Sequence, residues 1–550
     1  MLIDVKQFSI MPDTGKDMTA NFLKLFAYLK DIDGDKEVKL EKGRYDLYCD
    51  HAIRTVTYIS NTIAEREKAV PERVVPLYLE DISDLDFDGS DCEIIIHGKS
   101  SNMFLERCER VKIRNLIIDR AQPAVSQVEV LERAKSSATI RIHADCKYII
   151  KKGRLIFVTD NSSYAPHKDK IVWWYGESES ASSPIINRTR VNPFARAKAE
   201  EIAPGVVKLK YLFGNSCKAG MFYHVHSRYR EEVGIYANRC RDIELVNLHE
   251  RSNYSHAFIL QTCHNVALNC VSSAPDGNSG RLAASQTDCV HCSMCSGHIQ
   301  VTDSRFEGAF DDVFNAHGFH FRIIAKKGQV ITVKFMHPQA YGFMPFDEGD
   351  ILKVIDAKTL IGDAELTVKS IKVVDKYRLQ LEVDGDIDGA KVGKYIEDIS
   401  KCADVTFKGN YCVKISTRGL LITTRGKAVV ENNVFDNMQM SGILISDDAG
   451  SWYESGAVRD VAIRGNKFIK CGEQAICVMP ENLLFADYVH KGIVIENNEF
   501  VYDTDRAIFA KDSCDIAIRN NTFKPLGSGS QPTELRNCGN VTLENNTVVS

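Results

Sequence analysis

A short motif recurs along this chain: cysteine, two residues, valine or isoleucine, one residue, then leucine, isoleucine or phenylalanine. It opens at Cys108 (CERVKIRN), Cys240 (CRDIELVN), Cys263 (CHNVALNC), Cys402 (CADVTFKG) and Cys538 (CGNVTLEN). Ser296 opens a copy without the sulfur (SGHIQVTD), and further copies start near Arg425, Val458, His490 and Ser513. The steps 240 to 263, 402 to 425 and 490 to 513 are 23 residues, and 513 to 538 is 25. Those from 263 to 296 and from 425 to 458 are 33, one unit plus ten. Apolar residues alternating with a period of two make a strand with one buried face, and a fixed period in the low twenties makes one coil of a solenoid per repeat. The expectation is an all-β chain built as a right-handed parallel β-helix. Asparagines seven residues into many units, Asn115, Asn247, Asn432, Asn497, Asn520 and Asn545, fall where strand passes to turn, and their amides are expected to stack as a ladder. The repeated cysteines read as small buried hydrophobes stacked coil upon coil.

Residues 1–119 read as a cap and the first coils, with Met18, Phe22, Leu25, Phe26 and Leu29 at helical spacing over the open end of the core. Two gaps interrupt the repeat, 132 residues from 108 to 240 and 106 from 296 to 402. Less one coil of 23, they leave 109 and 83 residues of insertion. Both alternate apolar and polar residues in short runs (SATIRIHAD, GRLIFVTD, GVVKLKYLF; GQVITVKF, ILKVIDA, AELTVKSIKVV, YRLQLEVDG) and read as small β-barrels or sandwiches at 120–230 and 322–400. Coils carrying the acidic residues occupy 231–321, and the last coils 401–550.

Charge excludes some partners. With 69 basic and 74 acidic residues the chain has no strongly basic face for nucleic acid or anionic lipid. No apolar run approaches the ~20 residues of a membrane span, and the start, MLIDVKQFSIMPD, shows no export signal. The 17 cysteines, an odd number, rule out a complete disulfide framework.

The ten extra residues after Cys263 match PDGNSGRLAA, Pro275 to Ala284, a loop rich in turn formers. Removing it places Asp288 and Asp311 each fifteen residues into adjacent coils, in one column about 4.8 Å apart. Asp312 follows directly, and the stripe continues through Ser255 and His256 below and Thr417 and Arg418 above. Clustered carboxylates resist simultaneous ionisation, so one keeps a proton near neutral pH, the state a general acid needs. Glycoside hydrolysis with inversion uses such an acid and a carboxylate base roughly 6.5–9.5 Å apart. Because consecutive strand residues face opposite ways, Asp311 and Asp312 share a cleft only if the backbone bends between them. Cys289, His291, Cys292 and Cys295 tempt as zinc ligands, but strand alternation sends Cys289 and His291 one way and Cys292 the other, so no metal is expected. His317 is placed to bond a sugar hydroxyl or to fill a corner, and Arg281 and Asp276 lie on the ten-residue loop.

The motifs SQTDCVHCSMCSG, 285 to 297, and FEGAFDDVFNAHG, 306 to 318, resemble those of glycoside hydrolase family 110. The resemblance spans most of the chain and implies an inverting exo-α-1,3-galactosidase that acts on terminal α-linked galactose, including that of the blood-group B antigen. It carries Asp288, Asp311 and Asp312 as the catalytic carboxylates. Analogy with the pectin hydrolases makes Asp311 the acid, with Asp288 and Asp312 sharing water activation and the order of roles left open. His256, Arg281, His291, His317 and Arg418 are the substrate-binding candidates; no cofactor is implied. Residence in the periplasm or outside the cell after removal of a signal is the expectation, and exposed barrel surfaces are compatible with a homodimer. Two other readings stand beside it: a β-helix lyase using calcium and a basic residue on uronic acid polymers, and a non-catalytic glycan-binding protein of tailspike type.

Overall fold

The structure is a computed structural model that describes residues 1–164, 173–188, 193–194, 196–227, 229–362 and 364–549. Its body is a parallel β-helix with three strands per coil. One long sheet runs in parallel register from Leu77–Glu80 through Phe258–Gln261, Val290–Ser293, Phe314–Phe319, Leu420–Thr423 and Ile443–Ile445 to Gln531–Arg536. The other two faces carry the strands that open each repeat, such as Asp404–Lys408, and the short ones after the turn, such as Tyr411–Val413.

One continuous apolar core threads the coils, because the alternate apolar positions of every repeat point inward. In the last coils it contains a column of phenylalanine rings, Phe435, Phe468, Phe500 and Phe523, with centroids 5.0, 5.0 and 4.9 Å apart and planes within 11° of parallel. The helix Thr19–Lys30 closes the other end, burying Phe22, Leu25, Phe26 and Leu29.

Asn247 Nδ2 donates to Asn115 Oδ1 at 3.0 Å as expected, but in the last coils the amide ladder stands one residue away from its expected place. Asn432, Asn497, Asn520 and Asn545 take left-handed backbone conformations at the turn, with φ between 51° and 57°. Their neighbours Asn433, Asn498, Asn521 and Asn546, together with Asn410 and Asn466, which follow glycines, form the ladder, each Nδ2 donating to the next Oδ1 at 2.9–3.1 Å. Two asparagines in tandem solve two problems: the first tolerates positive φ, and the second satisfies the buried turn.

The cysteine column shows a second slip. Cys240, Cys263 and Cys295 each direct a thiol to a carbonyl of the coil below, Leu105, Ala237 and Leu260 respectively, so Cys295, not Ser296, continues the column. His264 pairs with Ser296 but Val266 pairs with Ile299, and the extra residue is a bulge at Gly297 with φ +67°. A Cβ there would meet the Asn265 side chain at 2.3 Å, so glycine is required.

The inserts differ from each other. The second insert, expected at 322–400, is a closed six-stranded antiparallel barrel that begins one residue earlier, at Phe321–Lys327, and ends at Tyr395–Asp398. The first insert is not a closed barrel among the described residues: a seven-stranded antiparallel sheet, centred on Ser126–Ala134 and Ser137–Ile142, accompanies a three-stranded one.

Candidate active site

The bulge shifts the acidic column. Cys289 N–H donates to the Asp312 carbonyl at 2.9 Å, Ala257 N–H to that of Asp288 at 3.0 Å and Val313 N–H to that of Arg418 at 3.1 Å. Asp288 is therefore in register with Asp312, not Asp311, and the column reads His256, Asp288, Asp312, Arg418. One of the ten extra residues after Cys263 belongs to the bulge and not to the loop, which accounts for the one-residue error. Asp311 precedes the column in a bend ahead of the strand Phe314–Phe319, and that bend lets it face the same cavity as Asp312.

The cavity has a volume of about 300 Å³, and all three aspartates line it. Arg230, Arg418, Asn61, Asn315, Trp452 and Glu454 are among its other walls. Arg230 Nη2 reaches Asp311 Oδ2 at 3.1 Å, while its Nη1 donates to the Asn61 carbonyl at 3.0 Å. The Arg418 backbone N–H and Nε donate to Asp312 Oδ1 at 3.1 and 2.9 Å. Asp288 Oδ2 meets His291 Nδ1 at 2.7 Å.

These partners separate the three acids. Burial pushes Asp288 well above the ordinary carboxylate range, and the nearby Asp312 charge adds to it. Asp311 is pushed up to about 7, first by burial and then by Asp288 and Asp312, against the pull of Arg230 and Arg418. It is also the most open of the three, with 27% of its side chain exposed against 3% for Asp312 and 6% for Asp288. Burial opposes the charge of Arg418, but Asp312 reverses that and holds the guanidinium firmly protonated. The arrangement sets an acid that titrates near neutrality beside a carboxylate fixed by an arginine.

Of the five substrate-binding candidates, Arg418 alone lines the cavity. Arg281 is removed from the site: its guanidinium grips Asp119 at 3.0 and 2.5 Å, a buried pair that ties the loop to the coil before the first insert. His256, His291 and His317 are buried at 0%, 0% and 4% exposure and stand behind the carboxylates. Burial lowers His291 and His317 to about 4 and His256 well below its usual value, so neutral imidazoles form a column there, with ring centroids 5.0 Å apart at each step and planes steeply inclined to one another. The cysteines beside them fail to converge with His291 for a reason other than strand alternation. Cys289, Cys292 and Cys295 all point into the apolar core, because a turn precedes the strand Val290–Ser293, while His291 points outward. His256, Asp288 and His291 bring ligand-type atoms within 4.8 Å of one another, but two of those atoms already share the Asp288–His291 bond, and we assign no metal to the group.

Sequence reasoning missed Arg230, Glu454 and Trp452. Glu454 accepts from Asn61 at 3.0 Å and Asn315 at 3.5 Å. Trp452 stacks on His337 of the barrel, 4.5 Å between centroids, and leaves 42% of its surface exposed. Both sit on the loop inserted between 425 and 458, whose length of ten was legible in the second 33-residue step. Arg230, at the end of the first insert, carried no such signal.

A parallel β-helix that gathers three aspartates and two arginines around one walled cavity belongs to the carbohydrate-active enzymes built on this solenoid. Residues 330–393 match the family described as GLAA-B beta-barrel domain II, and residues 395–550 the one described as right handed beta helix region. Over 554 residues the chain is 31% identical to an alpha-1,3-galactosidase A of Bacteroides thetaiotaomicron, an alignment that covers 98% of this chain and 95% of that relative. It is 32% identical over 501 residues to the alpha-1,3-galactosidase A of Bacteroides fragilis, 89% of this chain and 82% of that one. With the alpha-1,3-galactosidase B of Phocaeicola vulgatus it shares 29% over 561 residues, 95% and 90% of the two chains. The chain belongs to the family of these alpha-1,3-galactosidases and is a glycoside hydrolase.

Proposed function

We propose that this enzyme removes terminal α-1,3-linked galactose from glycans by an exo-acting, inverting mechanism of the kind found in glycoside hydrolase family 110. The observation that carries the reading is the split between neighbouring acids: Asp311 keeps its proton to about pH 7 while Asp312 takes two N–H donors from Arg418. Asp311 protonates the glycosidic oxygen as the bond to the anomeric carbon breaks. Asp312 accepts a proton from a water that attacks the opposite face, so α-linked galactose leaves as the β anomer. This keeps Asp311 as acid and narrows the base to Asp312, since burial and its contact with His291 favour a protonated Asp288.

Exo action is supported by the walls. The loop bearing Asp448, Ser451, Trp452 and Glu454 bounds the cavity, and the barrel backs that loop through His337. The exposed face of Trp452 suits the apolar face of a hexose ring. Proton NMR of the first-formed product from Galα1,3Gal tests the reading; initial β-galactose is expected, and initial α-galactose would overturn inversion. The fucosylated B trisaccharide run beside the disaccharide tests the blood-group B assignment, with release from the trisaccharide expected.

A further inference from the structure

The bonds behind Asp288 fix a proton count. His317 Nδ1 lies 2.7 Å from the Gly318 carbonyl, which only accepts, so Nδ1 carries a hydrogen. His317 Nε2 then faces His291 Nε2 at 3.2 Å, and His291 Nδ1 faces Asp288 Oδ2 at 2.7 Å. Each of these two contacts needs one hydrogen between its atoms. The chain from carbonyl to carboxyl thus holds three hydrogens on nitrogen or oxygen. A carboxylate and two neutral imidazoles supply two. One further proton is present, and all three groups are buried.

We propose that His291 and His317 are positioning residues that store this proton on Asp288, so that Asp288 stands in the site as a neutral carboxyl donating to His291 Nδ1. The contacts alone leave the extra proton on Asp288, His291 or His317; burial, which disfavours a charge on either imidazole, puts it on Asp288, so that His317 Nε2 accepts from His291 Nε2–H and His291 Nδ1 is left a bare acceptor. Charge balance makes the same demand. Asp312 is the next residue of the column, Asp311, Glu454, Arg230 and Arg418 line the same cavity, His256 lies 3.8 Å behind, and Cys289 and Cys292 flank Asp288 from the core. An anion at Asp288 would add its repulsion to the charge of Asp312, its neighbour in the column. The proposal deepens the hydrolase reading above and assigns Asp288 no proton transfer to substrate or water.

The test has one arm that needs no substrate. In enzyme labelled with 13C at aspartate and 15N at histidine, NMR at pH 7 is expected to show a protonated Asp288 carboxyl and an unprotonated His291 Nδ1. A carboxylate facing a His291 imidazolium, protonated at both nitrogens, would overturn the proposal whatever the enzyme hydrolyses. The second arm compares His317→Gln with His317→Leu. Glutamine offers His291 Nε2–H an acceptor and is expected to keep both the Asp288 signal and the pH profile of kcat/KM. Leucine offers none, which frees His291 to donate from Nδ1 to an ionised Asp288. The new anion raises Asp311, so the alkaline limb moves up by roughly one unit. Equal profiles for the two folded variants, checked by thermal unfolding, would mean that His317 only fills space and would overturn its assigned role. A missing activity in every sample beside the expected NMR signals would count against the hydrolase reading alone.

Discussion

The coils at 401–550 and those at 231–321 solve the same stacking problem in opposite ways. In the former, like sits on like: Asn466 on Asn498 at 3.0 Å, Phe468 on Phe500 at 5.0 Å. Amides are both donor and acceptor, and near-parallel rings pack at 4.9–5.0 Å between centroids, so repetition at strand spacing is favourable. Carboxylates have only lone pairs to offer each other. The column through the site is therefore built of unlike neighbours, His256, Asp288, Asp312 and Arg418, with a bulge at Gly297 to set their register. Repetition gives stability, and a break in the repetition gives chemistry.

The comparison breaks most sharply at Asp311. Asp311→Asn is expected to cost about 10²–10⁴ in kcat on Galα1,3Gal, the range of general acid catalysis. An aryl galactoside whose leaving group needs no proton should lose far less, and equal losses on both substrates would remove Asp311 from the acid role. In the regular coils the matching change, Phe468→Ala, empties one place in the ring column. It should lower stability by about 3–5 kcal/mol, read by denaturant unfolding, while kcat of the folded enzyme at low temperature stays put.

A smaller effect belongs to the amide ladder. Asn466→Ala takes the Oδ1 acceptor from the N–H and Nδ2 of Asn433 and the Nδ2 donor from Asn498 Oδ1 and the Val430 carbonyl, at a cost of about 1–3 kcal/mol. No neighbouring amide can take its place, because Gly465 holds the left-handed turn position in this coil, where Asn432 and Asn497 stand in the coils on either side. The same substitution at Asn432, on the exposed turn, leaves the ladder intact and should cost less than Asn433→Ala; a reversed order would refute the ladder as drawn.

What the sequence disclosed divides along the same line. The period of 23 was enough for the solenoid, and the strings between 322 and 400 coincide with strands of the barrel, because both rest on apolar alternation. Register to the single residue was not legible. Gly297 looks like any glycine in SGHIQVTD, yet it moves Asp312 into the place expected for Asp311. Arg281 was drawn to the site by its loop, but a loop residue can reach inward, and Asp119 lies 162 positions earlier, beyond any local pattern. The three histidines lie on the right coils but one layer deep, since alternation gives the face of a strand and not what covers it.

A last contrast separates the two regions by pH. Asp311 holds its proton to about pH 7 in the folded enzyme, whereas the unfolded chain releases it near the usual carboxylate value of about 3.9. As pH rises from about 4 to 7 the unfolded state therefore binds fewer protons than the folded one, and stability falls across that window before levelling off. Asp311→Asn removes the titration. Its unfolding temperature should match that of the parent near pH 4 and exceed it by a few degrees at pH 8. The lowered values of His291 and His317 add their own loss of stability as pH falls below about 6.5, but they are common to both proteins and cancel in the difference. Asn466→Ala changes an uncharged group, so its difference from the parent should be flat over the same range. A flat difference for Asp311→Asn as well would show that Asp311 is no more perturbed than an exposed aspartate, and the contrast between the ladder and the site would lose its electrostatic basis.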